Sequence, residues 1–174
     1  MAKNTLKIKV CRFDSTAIAS ALKISENASE TKFRDGRVAS RFSEHWAARL
    51  YDYLKHGNTN QHGSDGEFDA GELGGVEVSV KSLTNSGVKF QKSKFVGSGR
   101  SCTHEDLIDS INDCERYVVV DITKFPEVRF VIVLSRILAK AAQAKHLTPG
   151  GWSESKFYGW LGTAFEVSSE TVEL

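Results

Sequence analysis

The 174-residue chain lacks the covalent features that stabilise many small proteins. Its three cysteines are odd in number and form no CxxC pair, so a disulfide framework and a structural zinc site are both unexpected. Cys102 and His104, with Cys114 downstream, form only a weak metal pattern, and ordinary buried cysteines are the better interpretation. With two prolines and 40% hydrophobic residues, the chain fits one globular domain over residues 1–174, whose core we place at about 40–145.

Long apolar runs are missing as well. No stretch approaches the roughly 20 apolar residues of a membrane span. The first residues also lack the apolar region of a signal peptide. We therefore expect a cytoplasmic protein with reduced cysteines and no membrane contact.

The motifs of several common enzyme classes are absent. The sequence contains no GxSxG elbow, no GxxxxGK[ST] phosphate loop and no GxGxxG motif after a strand. The five histidines form no HxxxH or HExxH pair, so a metal site built from histidines is not expected. The net charge of +1 neither indicates nor excludes a nucleic-acid partner, since a binding face needs only a local excess of Lys and Arg.

Hydrophobic periodicity predicts an alternation of helices and strands. The most distinct helix pattern covers residues 40–55, with Ser43 as its cap and Gly57 as its stop. The polar stretch 25–37 is predicted to be a mobile loop. The other predicted elements are a peripheral strand over 4–13, a short helix over 17–22 capped at Asp14, an amphipathic helix that opens at His104, two buried central strands over 116–122 and 128–134, and a helix over 135–147.

The C-terminal part of the chain is rich in aromatic residues. They are Trp152, Phe157, Tyr158 and Trp160. Aromatic residues at such spacing more often close a core or a dimer interface than contact DNA, so we expect packing here.

The stretch from Ser64 to Ser82 has the pattern of a β-hairpin. The Gly74-Gly75 pair predicts a tight turn, and residues 68–70 before that turn can pair back against the strand that follows it. This pairing brings Asp69 towards Lys81.

The strand after the turn carries a polar ladder. Side chains alternate along a strand, so Glu77, Ser79 and Lys81 share one face and three valines line the other. Taken alone, such a face is most often a solvated sheet surface. The basic segment and the two buried strands that follow this strand in the chain favour a functional site over a solvated surface.

Between Ser82 and His104 the sequence contains no acidic residue but several basic ones. So long a stretch without an acid favours contact with phosphate over an ordinary solvated linker. The residues of this segment that we expect to contact DNA are Lys89, Gln91, Lys92, Lys94 and Arg100.

The predicted elements follow each other as a helix, a hairpin with Asp69 and Lys81, a basic segment, a helix and two buried strands. This order resembles the PD-(D/E)XK nuclease superfamily, and within it the small type II restriction endonucleases. The resemblance implies an α/β fold of the α+β type, in which helices flank a central mixed β-sheet that carries the catalytic hairpin. It places Asp69 at the first metal-binding acid and Lys81 at the lysine of the motif. Ser79 stands where the family usually has its second acid, and some relatives with the same Ser-x-Lys take that carboxylate from elsewhere.

Three acids are candidates for the missing ligand. Glu77 lies on the same strand face, one side-chain repeat from Ser79, and we favour it. The alternatives are Glu44, near the start of the preceding helix, and Glu105, the first acid after the basic segment.

The resemblance implies a Mg²⁺-dependent DNA endonuclease, in particular a type II site-specific restriction enzyme that acts on double-stranded DNA. Carboxylate oxygens suit a hard divalent cation, and Lys81 would orient or help deprotonate the attacking water. A domain of this size carries one such centre, so cutting both strands calls for a homodimer. The alternatives are a non-catalytic DNA-binding module, which Ser79 would mark as degenerate, and a nicking repair or junction-resolving nuclease.

Overall fold

One β-sheet runs through the part of the chain that the structure describes, a computed structural model of residues 4–35, 39–55, 65–67, 75–95 and 97–173. The seven strands of this part lie in the order β2-β3-β4-β5-β6-β1-β7. They are β1 (Thr5–Arg12), β2 (Leu54–Lys55), β3 (Gly66–Glu67), β4 (Glu77–Leu83), β5 (Arg116–Asp121), β6 (Glu127–Leu134) and β7 (Glu166–Thr171). The α-helices of the same part are α1 (Ser15–Leu22), α2 (Glu26–Arg34), α3 (Ala39–Tyr51), α4 (His104–Asn112), α5 (Ser135–Gln143) and α6 (Glu154–Ala164).

The sheet is mixed. Strands β4 and β5 run parallel, as do β1 and β7, and the other neighbouring pairs are antiparallel. A parallel pair needs a crossover connection, and α4 stands in the chain between β4 and β5. Residues of α4, α5 and α6 form one core cluster with the sheet, and residues of α2 and α3 form the other. The predicted central mixed sheet flanked by helices is therefore confirmed.

The central strands form where their apolar runs predicted them. Val118, Val119 and Val120 of β5 are completely buried, as are Phe130 and Val131 of β6. Consecutive residues of a strand point to opposite faces, so burial of consecutive residues means that helices cover both faces. In the described part of the chain, no helix is long and apolar enough to cross a membrane.

The segment predicted as a mobile loop is instead helical over residues 26–34. This is α2, whose N-terminus is capped by Ser25, which accepts a hydrogen bond from the Ala28 N–H at 3.2 Å. The helix has a single large apolar side chain, Phe33, which is 8% exposed and packs on Phe125. The Arg34 Nε also donates a hydrogen bond to the Phe125 carbonyl at 3.2 Å. One aromatic residue gives almost no periodic signal in the sequence, so contacts with distant residues dock this helix.

Two further elements differ from their predictions, and a third element was not predicted. Helix α3 covers Ala39–Tyr51, so it begins earlier and ends earlier than predicted, and Ser43 lies buried inside it rather than capping it. Strand β1 is not peripheral, because it pairs with β6 on one side and with β7 on the other. Strand β7 itself has largely exposed, polar side chains, and its sequence carried no strand signal.

Replacing Phe33 by alanine is expected to lower the free energy of unfolding by about 3 kcal/mol. The Phe33 ring is stacked on Phe125 with 4.5 Å between ring centroids, and its loss leaves a cavity under α2. Chemical denaturation measures the change. The exposed neighbour Lys32, replaced by alanine, is the control and should change the free energy of unfolding by no more than about 0.5 kcal/mol. Equal stability of the two variants would mean that α2 is not docked on the sheet.

Candidate active site

The predicted alternation along β4 is confirmed. Val78 and Val80 are buried in the core that α2 and α3 cover. On the other face Ser79 is 4% exposed and Lys81 is half-buried. The Lys81 Nζ lies 6.0 Å from the centre of the Tyr117 ring, which belongs to the core that α4, α5 and α6 cover. The serine and the lysine of the motif thus sit on the sheet face below α4.

An acid that the sequence analysis did not single out, Asp65, meets this part of β4. It directly precedes β3, and its N–H donates a hydrogen bond to the Val78 carbonyl at 2.7 Å. Its Oδ2 accepts hydrogen bonds from the Ser79 hydroxyl at 3.1 Å and from the Val80 N–H at 2.6 Å. A carboxylate is therefore held at the edge of β4, level with Ser79 and two residues from Lys81.

Glu44 lies on α3, the helix that packs on the face of β4 opposite Ser79 and Lys81. The Ser82 hydroxyl donates a hydrogen bond to Ser43 Oγ at 2.9 Å on that face. Burial raises the pKa of the Tyr53 hydroxyl strongly, and the charges of Asp65 and Glu44 raise this pKa further. Both carboxylates are therefore within electrostatic range of one buried hydroxyl.

The other predicted acids are placed differently. Glu77 is exposed on the same strand face as Ser79, as predicted, and stands directly opposite Glu67 of β3. Glu105 is exposed in the first turn of α4, about 10 Å along the helix from the end that adjoins β5. Asp69 lies outside the described residues. Among the residues that are described, no three His, Cys, Asp or Glu side chains are grouped closely enough to hold a metal ion.

Cys114 lies within electrostatic range of Lys81. Burial raises the pKa of its thiol to about 11, although a hydrogen bond with Tyr117 and the charge of Lys81 lower this pKa in part. The raised pKa disfavours the thiolate, which is the form that binds metals. Cys102 lies at the opposite end of α4, so the weak Cys and His pattern of the sequence does not come together.

The basic segment after β4 is tightly anchored. Lys89, Lys94 and Arg100 are exposed, and Arg100 donates a hydrogen bond to the Ser93 carbonyl at 3.0 Å. Lys92 forms an ion pair with Asp113, so much of its charge is already neutralised. Gln91 is 7% exposed, which the sequence did not indicate.

The aromatic residues of the C-terminal part pack in the core. Trp152 and Phe157 are buried, and Tyr158 and Trp160 pack against the same core cluster. Tyr158 also donates a hydrogen bond to the buried Asp121 at 2.7 Å. The preference for packing over DNA contact agrees with these positions.

Comparisons with known proteins found no match: no protein-family model, no curated protein and no solved structure is similar to this chain. The site must therefore be interpreted from its own geometry.

Replacing Ser79 by aspartate tests whether this position faces a cation. The new carboxylate would lie buried against Asp65, and we expect it to lower the free energy of unfolding in EDTA by about 3 kcal/mol. Mg²⁺ should then raise the melting temperature of the variant more than that of the wild type, because a bound cation favours the folded state. Ser79→Ala loses the hydrogen bond without adding charge and is the control. An equal effect of Mg²⁺ on all three proteins would place the cation elsewhere.

Proposed function

We propose that this chain is a Mg²⁺-dependent DNA endonuclease of the PD-(D/E)XK type, with its centre at Asp65, Ser79 and Lys81. The observation that carries the proposal is the placement of Asp65, whose carboxylate is fixed by Ser79 and the Val80 N–H on the strand that continues into the half-buried Lys81. An acid on one strand of a hairpin and a lysine on the next is the arrangement that the resemblance implies. Asp65 takes the part that the sequence assigned to Asp69.

The donors present suit Mg²⁺. This cation prefers oxygen ligands, keeps several waters, and is commonly held by one or two carboxylates together with substrate phosphates. Asp65 supplies one carboxylate, and Glu44, whose charge like that of Asp65 reaches the buried Tyr53 hydroxyl, is one candidate for the second. Glu77, favoured from the sequence, is the alternative, since it is one side-chain repeat from Ser79, about 7 Å along the strand. When bound, the cation would stabilise charge on the phosphate and favour hydroxide at neutral pH.

The side chains of the chain itself have separate tasks in this proposal. Ser79 and the Val80 N–H hold the Asp65 carboxylate in one orientation, because each donates a hydrogen bond to its Oδ2. In this proposal Lys81 brings its positive charge to the strand that holds this carboxylate, where it orients the attacking water and stabilises charge that develops on the phosphate. Its Nζ lies 6.0 Å from the centre of the Tyr117 ring, and its backbone pairs with β5.

The experiment is cleavage of supercoiled plasmid by the purified protein. We expect linear or nicked product with Mg²⁺ and none with EDTA. Binding of DNA without cleavage of any substrate in Mg²⁺ or Mn²⁺ would instead support the non-catalytic DNA-binding module. Nicked product alone would favour a nicking repair or junction-resolving nuclease over a restriction enzyme. A restriction enzyme that cuts both strands should also elute as a homodimer in size-exclusion chromatography.

A further inference from the structure

A cleft of about 430 Å³ opens beside Lys81. The residues that line it include no acid: Lys81, Ser82, Ser86, Gly87, Lys89, Gln91 and Ser93. Two lysines, a glutamine and several serines therefore border one open space, although the Ser82 hydroxyl donates its hydrogen bond to Ser43 on α3. Groups of this kind are donors of hydrogen bonds, and phosphate oxygens are their natural acceptors.

The wall of the cleft is fixed in place by the backbone. Residues Thr84 to Gly87 form a tight turn, in which the Gly87 N–H donates to the Thr84 carbonyl at 2.8 Å. Val88 then pairs with Trp152 through two backbone hydrogen bonds, at 2.8 and 3.0 Å. Gly87 has a φ of +88°, and a side chain there would collide with the Trp152 carbonyl. The cleft is thus preformed, which reduces the entropy lost on binding.

Gln91 is the unusual member of the lining. Its neighbour Phe90 is 1% exposed in the core, whereas Gln91 lines the cleft although it is only 7% exposed itself. Its Oε1 is buried and has no hydrogen-bond partner. A buried, unpartnered amide oxygen is unfavourable for folding, and natural proteins rarely keep one. This orientation of the Gln91 side chain has a function if it keeps the amide N–H groups directed at a ligand in the cleft.

We propose that this cleft is a subsite for a backbone phosphate of nucleic acid, in which Lys89 and the Gln91 amide hold the phosphate next to the phosphodiester at Lys81. The proposal rests on the proposed nuclease function, because only that function gives the neighbouring phosphodiester a role. Lys89 supplies charge and is exposed, so it can follow the ligand. Gln91 supplies fixed hydrogen bonds and acts as a positioning residue.

Equilibrium binding tests the subsite without cleavage. The probe is a fluorescein-labelled DNA duplex in EDTA, measured by fluorescence anisotropy over a range of NaCl concentrations. Lys89→Ala should weaken binding roughly threefold to tenfold and reduce the slope of log affinity against log salt by about one, as the loss of one phosphate contact does. Lys32→Ala removes an exposed lysine of α2, a helix that packs on the opposite face of the sheet, and should leave both quantities unchanged.

Gln91→Leu separates binding from folding. The substitution removes the unpartnered Oε1 and keeps a similar volume, so the melting temperature should stay the same or rise. Binding should nevertheless weaken several-fold with an unchanged salt slope, because the lost group is neutral. A merely structural role for Gln91 would give the opposite combination, a lower melting temperature with normal affinity, and would overturn the proposal.

Two further results distinguish failure of the subsite from failure of the nuclease. Cleavage by the wild type together with normal affinity and salt slope in both variants would overturn the subsite and leave the nuclease standing. Weakened binding in both variants with no cleavage by the wild type would overturn the nuclease and support the phosphate subsite. Inorganic phosphate is the second probe, and displacement of the duplex beyond that caused by chloride at equal ionic strength supports a site shared with the backbone. Saturable binding of inorganic phosphate that leaves the duplex bound would show a site for free phosphate and overturn the assignment to a nucleic-acid backbone.

Discussion

Asp65→Asn is expected to lower the rate of plasmid cleavage on the order of 100-fold or more, because the site loses the anionic oxygen that holds the cation. The asparagine oxygen can still accept hydrogen bonds from the Ser79 hydroxyl and the Val80 N–H, so the local structure should remain. The measurement is the initial rate of cleavage at saturating Mg²⁺. Asp109→Asn removes an exposed acid from α4 and is the matched control, which should cleave at the wild-type rate.

The same assay on Asp69→Asn decides which aspartate is the first acid of the motif. If Asp65 has this role, Asp69→Asn retains most of the activity. The reverse result, with Asp69→Asn inactive and Asp65→Asn active, would support the assignment made from the sequence and refute ours. A thermal melt in EDTA accompanies each variant, so that a folding defect cannot be mistaken for loss of the cation.

Strong local signals explain which parts of the fold were predictable. Strands β5 and β6 have apolar, β-branched runs because both of their faces are buried, and such runs identify a strand from neighbouring residues alone. Helix α4 has a capping box, in which Thr103 and Asp106 hydrogen-bond to each other's backbone N–H, and this too is a local pattern. Helix α2 and strand β7 lack comparable signals, and tertiary contacts determine their structure.

The candidate site depends on contacts between distant residues, and the sequence could not supply them. Ser43 resembled a helix cap, but the structure shows a buried hydroxyl bonded to Ser82 on β4. The role of Asp65 depends on the register of β3 against β4, which places Gly66 opposite Val78. Asp65 and Asp69 are each followed by a small residue, so the sequence did not distinguish them. The shared strand face of Ser79 and Lys81 was predictable, because their positions on β4 follow from simple alternation.

Lys81→Met is expected to lower the cleavage rate by about 10²-fold to 10⁴-fold, the range for loss of a group that assists proton transfer or stabilises developing charge. Methionine keeps an apolar stem against the Tyr117 ring, so we expect normal folding and little loss of DNA affinity in EDTA. Lys32→Met on α2 is the control for removal of an exposed lysine. A Lys81→Met variant that cuts at the wild-type rate would refute the site, whatever the result for Asp65.

Lys81→Arg then separates the two roles that a lysine can have at this position. Arginine keeps the positive charge but cannot give up its proton, so it cannot replace a lysine that deprotonates water. Because Lys81 is half-buried and directly follows Val80, whose N–H holds the Asp65 carboxylate, we expect its charge to be the larger contribution and Lys81→Arg to cleave measurably faster than Lys81→Met. Equal inactivity of the two variants would show that transfer of a proton at Nζ, rather than charge, is what the reaction requires. In that case Lys81 is the base, and the only task of the Asp65 and Glu44 carboxylates is to hold the cation.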